Sequence, residues 1–199
     1  MRHNASKTLS LAALLLPFAA SAHTGVDGGV HHGFVTGFLH PLTGADHLAA
    51  MVAVGLWSAL AARRAWPDLL WAPLAFAGML LVGALMGLAG VQLPAVEPMI
   101  AASLLVLGLL VATRIHLPAA VAAAVVGVFA IFHGVAHGHE LAGEQSAALT
   151  LAGMVGATVL LHLVGIAVGW ALRHANAWLP RAAGAAVVAL GASLLSQAV

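Results

Sequence analysis

The sequence predicts an all-α, polytopic membrane helix bundle, with six transmembrane helices following a cleavable signal peptide. Three observations carry that reading. The chain has 199 residues, 62% of them hydrophobic and only 7% charged, whereas an ordinary soluble domain carries about 25% charged residues. Its apolar runs repeatedly reach the ~18 residues needed to cross a bilayer. Its positive charges fall in alternate loops.

The elements follow in order. Arg2 and Lys7 form a positive start, Leu9 to Ala20 is a short apolar stretch, and Ala20-Ser21-Ala22 fits an A-x-A cleavage site. Residues 1–22 therefore read as a signal peptide and 23–199 as one six-helix domain. The mature chain opens with a short outer segment containing His23, Asp27, His31 and His32. Apolar segments are then expected near Gly33–Ala62, Leu69–Gly90, Val96–Thr113, Pro118–His137, Ala147–Leu172 and Trp178–Ser196. No linker is long enough for a second domain, and no internal repeat stands out.

Arg63 and Arg64 follow the first segment, Arg114 follows the third, and Arg173 and Arg181 flank the loop after the fifth. The positive-inside rule places these loops in the cytoplasm and both mature termini outside. Trp57, Trp66, Trp71, Trp170 and Trp178 gather toward the same side, as interfacial Trp does. Gly83-x-x-x-Gly87 and Gly165-x-x-x-Gly169 suit close helix contact.

Composition excludes several classes. Cysteine is absent, so disulfides, thiolate metal sites and Cys nucleophiles are ruled out together. A net charge of +1 gives nucleic-acid binding no electrostatic support. No Gly-x4-Gly-Lys-Ser/Thr nucleotide motif occurs. Histidine is the outlier, with 12 residues against 6 Asp and Glu.

Two clusters put imidazole and carboxylate where the bilayer should be. One is His40-Pro-Leu-Thr-Gly-Ala-Asp46-His47; the other runs from His133 through His137 and His139 to Glu140. Ionisable groups at membrane depth are costly and usually face a cavity or pathway. Imidazole and carboxylate are also ligands of first-row divalent metals. The first segment runs inward and the fourth outward, so both clusters lie in the outer half of the membrane. His133 and His137 share a helical face at i and i+4, and Glu140 continues it if the helix persists. His40 and His47, seven apart, share a face on the first helix, His47 about two turns deeper at ~1.5 Å per residue. Asp46 points elsewhere and is placed to orient a histidine or line a second side. Pro41 and Gly44 interrupt this helix, and broken backbone at membrane depth is tolerated only inside protein or along a wet cavity.

Candidate ligands are therefore His40, Asp46, His47, His133, His137 and Glu140, with His23, His31, His32, His139 and His162 as secondary candidates. His162 reads equally as a third-helix ligand or as core packing, Met51 more as packing than as a soft ligand, and Glu97 as either an entrance group or a helix-start carboxylate. Imidazole must be neutral to bind a metal, so affinity should fall below about pH 6.5. The ligands alone say only "divalent transition metal". Transport is the leading function. An intramembrane zinc-dependent hydrolase using the same cluster is the alternative, although no His-Glu-x-x-His motif is present. A metal-binding structural subunit is a third.

The paired motifs resemble those of the HupE/UreJ family of nickel/cobalt transporters. That family carries HPxxGxDH in its first mature helix and FHGxxHGxE later. Both stand here, as His40 to His47 and Phe132 to Glu140. The likeness extends over essentially the whole chain. It implies a bacterial inner-membrane protein that takes up Ni²⁺ or Co²⁺ as cargo for hydrogenase or urease maturation, with no prosthetic group and with metallochaperones as downstream partners. It carries the family's role onto His40, Asp46, His47, His133, His137 and Glu140. No feature sets the oligomeric state.

Overall fold

A computed structural model describes residues 33–63 and 68–198. The candidate signal peptide and His23, His31 and His32 lie outside the described residues, as do Arg64 and Trp66. The described chain is all helical: α1 (Gly33–Thr43), α2 (Ala45–Ala61), α3 (Trp71–Leu88), α4 (Val96–Thr113), α5 (Ala119–Glu140), α6 (Ala147–Leu172) and α7 (Trp178–Ala198). The last five are long and apolar enough to cross a membrane, and α1 with α2 would make a sixth span if the bent pair counts as one. Large apolar side chains such as Leu74, Leu109, Val128 and Leu163 point outward, an arrangement that suits a lipid solvent.

Helix–helix association in lipid depends on van der Waals packing, so small residues mark the contacts. The packed helical glycines sort into three sets. Gly55 and Gly165 press α2 and α6 together, and Gly37 and Gly153 do the same for α1 and α6. Gly83 and Gly87 of α3 meet Gly134 and Gly138 of α5. Gly108 of α4 meets Gly184 of α7. At Gly55 a methyl group would collide with the His162 carbonyl. Gly78 has nothing within 4 Å and takes no part in this packing.

The first span departs from expectation in geometry. Pro41 lies within the last turn of α1 and is buried, so it does not end the helix. The chain turns at Gly44, which is extended (φ −82°, ψ 118°), and α1 and α2 meet at 80°. Thr43 Oγ1 donates to the His40 and Leu39 carbonyls at 3.0 and 3.3 Å, closing the end of α1. His40 and His47 therefore do not share one face of a straight helix, where seven residues would separate them by about 10 Å. The bend brings their rings to 5.8 Å.

Trp57 also differs from the interfacial reading. It is buried, and its Nε1 donates to the Ile115 carbonyl at 2.9 Å. Trp71, Trp170 and Trp178 are exposed. Arg173 and Arg181 stack on Trp170 and Trp178, with guanidinium carbons 4.8 and 5.4 Å from the ring centroids.

Candidate metal site

The bend at Gly44 starts α2 immediately before Asp46 and His47, so both stand in its first turn. A carboxylate is favoured there by the helix dipole. Gly44 also leaves room for them: a Cβ would lie 3.1 Å from Asp46 Oδ1 and 3.2 Å from His47 Nδ1. On the facing element, α5 continues through Glu140, one turn further than its apolar run suggests. The persistent helix keeps His133, His137 and Glu140 in a single stripe. The glycines next to these histidines, Gly134 and Gly138, press against the backbone of α3.

The rings form a continuous series. Centroids of His40 and His137 are 4.9 Å apart, those of His137 and His47 4.5 Å, and those of His47 and His133 5.2 Å. His47, His133 and His137 are buried, at 8%, 0% and 1% exposure.

Hydrogen bonding assigns the nitrogens. His47 Nδ1 donates to Asp46 Oδ1 at 2.9 Å, leaving Nε2 as the lone-pair nitrogen. His137 Nδ1 faces Glu140 Oε2 at 3.4 Å, again leaving Nε2. Ser103 Oγ spends its proton on the Ile100 carbonyl at 2.6 Å, so at 3.1 Å it can only accept from His133 Nε2; the lone pair of His133 is then on Nδ1. His162 Nδ1 donates to the Met51 carbonyl at 2.8 Å, leaving Nε2. The four remaining nitrogens are buried without a hydrogen-bond partner. Buried polar atoms are rarely left unpaired. An imidazole tethered through one nitrogen and open at the other is the usual form of a metal-ligating histidine.

The outer end is more open. Donor atoms of His40, His137 and Glu140 lie within 4.8 Å of one another, and Glu140 Oε2 is 3.8 Å from His40 Nε2. Donors about 2.1 Å from one ion stand at most about 4.2 Å apart, so a small closure would let this trio share an ion. His40 and Glu140, with Asp46 and His47, open onto a cavity of about 270 Å³ whose lining also includes Glu97 and no Lys or Arg among the described residues. It has room for a hydrated ion, and its acidic lining raises the local cation concentration.

The six principal candidates are thus brought together. Of the secondary ones, His139 lines the cavity, but its Nε2 is tied to the Val91 carbonyl at 2.9 Å. His162 is not among the rings of this series and packs instead against Phe76. Met51 is fully buried in the apolar core. The sequence reading missed two neighbours, Ser103 and Phe76. A hydroxyl in the otherwise apolar middle of α4 was the available signal for Ser103; nothing separated Phe76 from ordinary packing.

An all-helical, multi-pass membrane bundle with imidazoles gathered under an acid-lined cavity has the build of a protein that handles cations. The comparisons name the family. The family model described as "HupE / UreJ protein" matches residues 11–194. Protein HupE of Rhizobium leguminosarum bv. viciae is 44% identical over 191 residues, covering 94% of this chain and 96% of that protein. The chain belongs to the HupE / UreJ family, a nickel/cobalt transport family of bacterial membranes. No solved structure matches it.

Proposed function

We propose that this chain imports Ni²⁺ or Co²⁺ across the bacterial inner membrane through His40, Asp46, His47, His133, His137 and Glu140, supplying metalloenzyme maturation. The observation that carries the reading is the set of tethered imidazoles, each buried with one nitrogen held and the other open. A cation drawn into the acidic cavity first meets His40 and Glu140, with His137 within reach of both. It then exchanges water for the inner nitrogens of His137, His47 and His133. Asp46 and Glu140 offset its charge and orient the rings they hold. The mature termini face outward, and His23, His31 and His32 act as additional metal-binding groups outside the membrane. Membership of a transport family favours this over the zinc-hydrolase alternative.

Reconstitution in liposomes with Ni²⁺, Co²⁺ or Zn²⁺ outside tests the reading. His47→Ala and His133→Ala should each abolish uptake. Unchanged uptake in both would refute the pathway.

A further inference from the structure

His162 repeats the pattern of the cluster from a third helix. It is 3% exposed, and its Nδ1–H is committed to the Met51 carbonyl. Met51 lies one turn beyond His47, about 6 Å further along α2. The open Nε2 of His162 is buried with no partner. A buried unsatisfied nitrogen destabilises the fold, a cost that an apolar side chain of similar size would avoid. Packing alone therefore does not account for a histidine here.

One ring contacts both His162 and the cluster. Phe76 of α3 is fully buried. Its centroid lies 5.7 Å from that of His133 and 5.3 Å from that of His162, the latter ring standing at 81° to it. An aromatic face tolerates a nearby cation while excluding water, so it can divide two coordination positions without repelling the ion that passes.

We infer that His162 Nε2 is the next ligand inward for the transported divalent cation, and that Phe76 is a partition which must turn aside for the ion to move from His133 to His162. This rests on the proposed function of the outer cluster. The inferred path runs from α5 past α3 to α6, and α6 is the helix that carries α2 on its glycine contacts.

The full-length protein in liposomes provides the test. His162→Asn keeps an amide donor for the Met51 carbonyl and removes the ligating nitrogen. Ni²⁺ binding by equilibrium dialysis should stay within about twofold, because the outer ligands remain, while uptake should fall about tenfold or more. Wild-type uptake by His162→Asn, with uptake still abolished in His47→Ala, would overturn this inference and leave the proposed function standing. Wild-type uptake in His47→Ala and His133→Ala would instead remove the reading on which it rests. A second variant reads the ligand directly. The chain has no cysteine, so in His162→Cys any thiolate-to-cobalt charge-transfer band on adding Co²⁺ comes from that position. The band is expected; a folded His162→Cys protein that binds Co²⁺ without it refutes the assignment.

Discussion

At the scale of single residues, the site is defined less by its histidines than by what holds them. Asp46, Ser103 and Glu140 each take one imidazole nitrogen and so decide which nitrogen is left for an ion. Loss of such a partner costs a metal site about 10–100-fold in affinity. Asp46→Asn should weaken Ni²⁺ binding by that order, measured by isothermal titration calorimetry in detergent. Ser103→Ala, which frees the His133 ring while leaving its charge environment intact, should fall at the lower end of that range. An unchanged affinity in both variants would mean that the tethers do not set the site. The imidazoles and acids were legible because polar residues stand out in an apolar chain. Two of the holders were not. Ser103 comes from a different helix, and the partner of His162 is the backbone carbonyl of Met51, which no side-chain pattern reveals.

At the scale of helices, apolar runs located the spans well: Val96–Thr113 and Ala147–Leu172 coincide with α4 and α6. Pro41 and Gly44 marked the break in the first span, but a run of apolar residues contains no angle, so the 80° of the turn was not readable. Nor was the final turn of α5, because its His and Glu residues interrupt the hydrophobic signal that marks a span. The glycine contacts make separate predictions. Gly134→Val drives a side chain into the Leu80 carbonyl of α3 and should cost about 3 kcal/mol or more. Gly78→Ala meets nothing within 4 Å and should be neutral or stabilising by about 0.5–1 kcal/mol, since helical Gly is disfavoured relative to Ala. Unfolding of the two variants in mixed detergent distinguishes these outcomes. Gly44→Ala crowds Asp46 and His47; uptake should drop although the helices remain folded by circular dichroism.

At the scale of the whole molecule, the proposed orientation places Ile115 inside and Ala142 outside. Both are exposed, and the absence of cysteine allows each to be replaced singly by a unique thiol. A membrane-impermeant maleimide should label Ala142→Cys on intact cells and Ile115→Cys only after permeabilisation. The reverse pattern would invert the topology.

The three sets of glycine contacts have a mechanical consequence. Backbone pressed against backbone leaves little freedom to slide, so α1, α2 and α6 behave as one plate, α3 with α5 as a second, and α4 with α7 as a third. His47 belongs to the first plate, His133 and His137 to the second, and Ser103 to the third. The binding cluster thus sits on the joints between plates, where relative motion is cheapest. An ion bound as proposed would bridge those joints and clamp them, and its departure would free them. Under the proposed function, occupancy and movement become the same variable: the cargo is the fastener that must be undone to deliver it.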